Sequence, residues 1–171
     1  MKIGKPNLLV GSDADGDIYQ RASSLLARLA KGAADLKLFM NAGATAGEWA
    51  VGHMTGTFTR DMTASSGDVS YTGVGFKPSA LIFFGGINAT TIISMIGCSM
   101  ATRRYVMSDY HGGIADTFAV QSALSIMLAE GSSQLQTALI KTYDSDGFTL
   151  TWTKTGTPSA GTATMFYVAF R

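Results

Sequence analysis

The 171-residue sequence predicts an all-β protein, and three observations lead there. Apolar or alternating stretches recur at roughly 8–12-residue spacing, the rhythm of an antiparallel sandwich or barrel. Clusters of Gly, Ser, Asp and Pro stand between them as turn signals. The composition, with 20 Gly and abundant Ala, Ser and Thr, suits β-structure with tight turns and chains whose surface is partly covered by copies of themselves. The architecture adopted is a jelly-roll-like antiparallel β-sandwich over residues 51–171, preceded by an extended β-rich stem over residues 1–50.

The stem region holds few aromatics and no sustained apolar alternation, and Gly recurs at 4, 11, 16, 32, 43 and 47. Such a segment cannot bury enough apolar surface to offset its own ordering entropy. It is therefore either flexible or ordered by other chains. In the second region the strand candidates are 68–74, 79–85, 91–100, 103–110, 117–128, 135–143, 148–154 and 162–170. Gly-Gly at 85–86 and 112–113, "EGSS" at 130–133, "DSDG" at 144–147 and "GTPSAG" at 156–161 divide them. The clearest hairpin is "LIKTYDSDGFTLTWT", with Asp146-Gly147 as positive-φ turn residues. Phe148, Leu150 and Trp152 share one face of its second strand, and Thr149, Thr151 and Thr153 the other. Residues 117–129 are ambiguous, because Phe118, Ser122, Ile126 and Ala129 also lie near one helical face. Their setting between strong strands decides for β.

Charged residues make up 15% of the chain and the net charge is +1, against roughly 25% charged in an average soluble protein. Nothing here attracts nucleic acid or an anionic membrane electrostatically. "MKIGKPNLLVGSD" has no apolar core and no cleavage site, so no secretion signal is expected. Residues 79–102 carry no charge at all, but Gly85, Gly86, Asn88, Ser94, Gly97 and Ser99 interrupt the run. It reads as two strands rather than a membrane span. Cys98, the only cysteine, reads as a small buried thiol, without the companion ligands a zinc site needs.

Candidate chemistry is sparse. Asp13, Asp15 and Asp17 match the first three ligands of an EF-hand loop, but Ile18 stands where Gly is required and Ser24 where Glu is, which leaves a polar turn around Gly16. "GCSMA" (97–101) lacks the last Gly and the helix of a nucleophile elbow around Ser99. Ser108, Asp109 and His111 crowd within four residues, too close in line to form a triad. Asp61, Asp68, Asp109, Asp116 and Glu130 show no recognisable carboxylate spacing, and no phosphate-binding glycine loop is present. No catalytic residue, metal site or cofactor is assigned. The one candidate binding stretch is "RRYVMSDYHGG". There Arg103, Arg104, Tyr105, Tyr110 and His111 gather guanidinium, phenol and imidazole groups suited to a sugar or to a protein interface.

Residues 16–50 resemble a module of tailed-bacteriophage fibre, head-fibre and decoration-type virion structural proteins. That module runs Gly-Asp, two apolar residues, Tyr-Arg, a small-residue turn, Leu-Ala-Arg-Leu, Lys-Gly, a "GQVLT"-like strand and "NAGGTAPEW". The matching residues are Gly16, Asp17, Tyr19, Arg21, Leu26, Ala27, Arg28, Leu29, Gly32, Asn41, Ala42, Gly43, Thr45, Ala46, Glu48 and Trp49. "AADLKLFM" departs from "TAGQVLTM", and Gly47 stands where Pro is common. "YTGVGFKPSALIFFGG" and "DSDGFTLTWTKTGTPSAGTATMFYVAF" are similar to terminal domains of such proteins. The resemblance implies a homotrimer with intertwined stems, attached to capsid, collar or tail and located in the virion after synthesis in the bacterial cytoplasm. A host surface glycan is a further candidate partner on the residues of the Arg103–His111 stretch, and nucleic acid and membrane insertion are not expected from the charge and hydropathy. The resemblance also makes "LLARLAK" (25–31) a strand, since an isolated helix that short is marginal.

Overall fold

In the computed structural model the chain separates into two compact units, Met1–Gly52 and His53–Arg171. Residues 15–22, 25–41, 45–88, 92–101, 103–111 and 116–171 are described, and every regular element among them is a β-strand paired antiparallel.

The first unit contains two hairpins. Strand β1 (Ile18–Ala22) pairs with β2 (Leu25–Leu29), placing Tyr19 opposite Arg28 and Ile18 opposite Leu29. Strand β3 (Lys37–Met40) pairs with β4 (Gly47–Ala50), placing Leu38 opposite Trp49. Of the "LLARLAK" segment (25–31), Leu25–Leu29 form the strand that the resemblance implied, and Ala30 and Lys31 lie beyond it. None of this unit's residues whose burial is described is buried, and Leu38, Met40 and Val51 are 48%, 58% and 46% exposed. Two-stranded ribbons lack a second layer to cover them, and such hairpins are marginal alone in water.

The second unit is an antiparallel β-sandwich. Its strands are β5 (His53–Asp61), β6 (Gly67–Thr72), β7 (Ala80–Asn88), β8 (Ile92–Met100), β9 (Arg103–His111), β10 (Asp116–Gln121), β11 (Ile126–Ala129), β12 (Leu135–Asp144), β13 (Gly147–Thr155) and β14 (Thr162–Phe170). The larger sheet runs β10-β9-β8-β7-β14-β5, the smaller β11-β12-β13-β6. The wiring is that of the expected antiparallel sandwich. In the large sheet β14 returns to lie beside β7 of the β7-β8-β9 run, and in the small sheet β6 lies beside β13 of the β11-β12-β13 run, both Greek-key orders.

Four local expectations are corrected. Strand β5 went unpredicted because Thr alternates there with Met, Gly, Phe and Arg, a weak apolar signal. Residues 117–128 break at 122–125 into β10 and β11, which belong to different sheets. That bend explains why neither helical nor strand periodicity ran through the segment. Gly85 and Gly86 lie inside β7 rather than in a turn. A Cβ on Gly86 would sit 1.8 Å from the Ile93 carbonyl oxygen, and one on Gly85 2.2 Å from that of Thr164, so both positions serve close strand approach. At the β12–β13 turn, Asp144 pairs with Gly147 and Asp146 keeps negative φ. Its carboxylate instead accepts from the Gly73 amide at 3.1 Å and the Gly75 amide at 2.5 Å, fixing the loop after β6.

The core lies between the sheets. Phe148, Leu150 and Trp152 point inward, each at most 1% exposed, as the alternation required. Leu81, Phe83, Ile93, Met95, Val106 and Met165 face them from the large sheet. Phe148 is the hub of an aromatic cluster, 5.7 Å from Phe83, 5.2 Å from Tyr167 and 5.3 Å from Tyr71 between ring centres. One polar clamp crosses this core. Arg60 of β5 lies 4.6 Å over the Trp152 ring and donates through Nη2 to Gln136 Oε1 (3.0 Å) and the Ser65 carbonyl (2.8 Å). Gln136 Nε2 donates to the carbonyls of Met62 (2.9 Å) and Ala64 (2.7 Å). Burial lowers the Arg60 pKa, yet the clamp supplies acceptors for its charged form.

Candidate functional site

Three places carry candidate function: the hairpin module, strand β9 and the outer face of the large sheet. The module's motif residues prove to be its joints. Asp17 accepts from the Lys31 amide at 2.7 Å and pairs with Arg28 at 3.4 Å, which ties the ends of the β1–β2 hairpin. Those contacts commit Asp17 to structure rather than to a metal loop; Asp13 lies outside the described residues. Gly16 has φ +93° and turns the chain into β1. Trp49 donates its indole N–H to the Ala30 carbonyl at 2.7 Å, and Gly32 packs so closely on its ring that a Cβ there would stand 2.7 Å away. Asn41 Oδ1 accepts from the Thr45 amide at 2.9 Å, bracketing the β3–β4 loop. Gly47, the departure from the common Pro, donates its N–H to Gln20 Oε1 at 2.6 Å, a bond Pro cannot make. Tyr19 and Leu29 stand in the β1–β2 ladder. Arg21 and Leu26 are paired there by backbone, and their side chains lie outside the described residues.

Strand β9 does not gather its five candidates. Arg103, Tyr105 and His111 lie on its outward face, Arg104 and Tyr110 on the inward one, because side chains alternate along a strand. Arg103, Arg104 and Tyr105 come together at one end, lining a recess of about 440 Å³ with Cys98, Met100 and Ser122. Tyr110 lines a different recess of about 290 Å³ with Ser108, Gln121, Met127 and Leu135. His111 Nε2 meets Asp109 Oδ2 at 2.9 Å. The same alternation separates Ser108, 3% exposed and inward, from Asp109 and His111, so these three do not make a triad. Ser99 is also buried, and its Oγ accepts from the Tyr143 hydroxyl at 3.0 Å. The glycines at 112–113 lie outside the described residues.

The largest feature was not singled out from sequence. Register aligns the outward side chains of the large sheet into rows. One row reads Val120–Met107–Ile96–Phe84–Phe166–Thr57 from β10 across to β5, and Phe84 stacks on Phe166 at 5.5 Å and 7°. The next reads Tyr105–Cys98–Ile82–Val168–Thr55. Neither row contains a charge. Charge begins only beyond them, at Arg103 on one side and at Asp109 with His111 on the other. Among the described residues of His53–Arg171, ten large apolar side chains are substantially exposed, and nine of them lie on this face. An antiparallel sheet with one wet face is normally polar there. The uncharged run at 79–102 was the signal: β7 and β8 are apolar on both faces.

The small sheet's outer face is different. Ser70 and Thr149 share a hydroxyl bond at 2.8 Å, Thr149 donates to Asp144 at 2.7 Å and Thr151 to Asp68 at 2.6 Å. Lys141 pairs with Asp68 as well. The hydrogen bonds from Lys141 and then Thr151 lower the Asp68 pKa, and that from Thr149 lowers the pKa of Asp144. No protein-family model, curated protein or solved structure matches the chain.

Proposed function

We propose that the protein is a structural component of a tailed-phage virion. In this reading it is a short homotrimeric fibre, spike or decoration whose hairpin module attaches to capsid, collar or tail. The carrying observation is the first unit itself: two jointed hairpins, with defined turns and hydrogen bonds, and not one buried residue among those whose burial is described. Specific geometry without an interior is what a segment has when other chains supply its second layer. The resemblance of residues 16–50 to virion modules gives the biological setting. Light scattering on the full chain tests it. A mass of three times 18.0 kDa supports the reading, and a monomer overturns it.

A second reading, a host-glycan-binding tip, is favoured by the recess where Arg103 and Tyr105 meet, since a phenol ring and a guanidinium are the groups that stack on and hydrogen-bond to sugars. Retention on host glycans that Tyr105→Ala abolishes would support it. Equal behaviour of wild type and Tyr105→Ala on a glycan array would remove it.

A further inference from the structure

We infer that the outer face of the six-stranded sheet is where copies of this chain pack against one another, with β7 and β8 at the centre of the contact. The inference rests on the self-assembling reading above and names the surface it uses in the sandwich. Nine side chains between 37% and 64% exposed, at roughly 200 Å² each, place on the order of 800 Å² of apolar surface on one face. The largest apolar patch of an ordinary monomer is roughly 300–600 Å², and one partner's share of a standard stable interface is roughly 800 Å². The patch therefore matches a full interface rather than a stray exposure.

Composition and layout identify the occupant as the same chain. The centre carries Ile, Phe, Met and Tyr without charge, and polar or charged groups stand at its rim: Thr55, Thr57, Arg103 and Asp109. That is the anatomy of an interface with an apolar core and polar border. A membrane surface is a poor fit, because the patch has a carboxylate at its border and Arg103 as the outward cation of β9. A face uncharged at its centre and bounded by both signs is compatible with itself.

Cys98 gives a built-in reporter. It is half-buried within one chain and stands in the second apolar row between Tyr105 and Ile82. The experiment compares maleimide labelling of Cys98 in native full-length wild type, Ile96→Glu and Thr153→Glu, with circular dichroism as a check on folding. Ile96 points away from the core at 49% exposure, so the acid enters no packed interior. Thr153 is the matched control on the outer face of the small sheet. Wild type and Thr153→Glu are expected to shield Cys98, and Ile96→Glu to lose that shielding while staying folded.

An Ile96→Glu chain that misfolds is replaced by Phe84→Ser, read in the same way. A multimeric wild type whose Cys98 reacts as fast as that of Ile96→Glu overturns this inference and leaves the hairpin module as the assembly element. A monomeric wild type overturns both readings at once.

Discussion

The sandwich has two outer faces, and they obey opposite rules. The small sheet presents threonines and serines whose hydroxyls are taken up by Asp68, Asp144 and one another. The large sheet presents Phe84, Ile96, Met107 and Phe166 in register and substantially exposed. Water satisfies the first face and is repelled by the second. The lesson is that a sheet's outer face reports its surroundings as surely as its inner face reports the core.

The comparison can be broken from several sides. The largest expected effect is the one tested by Ile96→Glu, where an acid on the apolar face opens the assembly and the same acid at Thr153 does not. Next is the clamp that holds the two sheets back to back. Arg60→Ala leaves Gln136 Oε1 buried with one donor fewer and strips the cover from Trp152. It should destabilise the sandwich by about 2–3 kcal/mol, lowering the melting temperature by roughly 5–10 °C in a calorimetric scan. Gln136→Leu should weaken the same clamp, whereas both outer faces would keep their side chains.

The smallest effect belongs to acid. Asp68 and Asp144 have carboxyl pKa values lowered below the ordinary 3.8 by their hydrogen bonds. Their contribution to stability is therefore complete above that ordinary value and is lost as pH falls through the lowered ones. Denaturant midpoints should stay flat above about pH 5 and begin to drop below about pH 4. Because both groups are exposed the drop is modest, and Asp68→Asn should flatten it. A midpoint that falls equally in wild type and Asp68→Asn would show that the polar face is not what acid attacks.

Much of the fold was legible. Phe148, Leu150 and Trp152 alternate with threonines so cleanly that inside and outside could be assigned from the chain alone. The 162–170 strand has the predicted bounds. Less legible were strands whose pattern is set by neighbours. Strand β5 hides its burial in Gly56, Phe58 and Arg60. A glycine there is not a turn signal but room for Tyr167, whose ring would lie 2.4 Å from an added Cβ. Gly85 and Gly86 misled for the same reason, since a close backbone approach and a turn both ask for glycine. Of the binding stretch, the residue types were readable and their grouping was not. Alternation sends Arg103 and Tyr105 one way and Tyr110 the other.

By itself the sequence determined an all-β chain, the inner face of the β13 strand, and an uncharged run from 79 to 102. These follow from local periodicity and composition, which every short window carries. Only the tertiary structure decided that the two alternating sets of β7 and β8 meet different fates, one in the core and one in the open. It also decided that residues far apart in the chain, such as Val120, Met107, Ile96, Phe84 and Phe166, form one row. A row across a sheet depends on strand order and register. Both are fixed by long-range pairing that no single window of sequence contains.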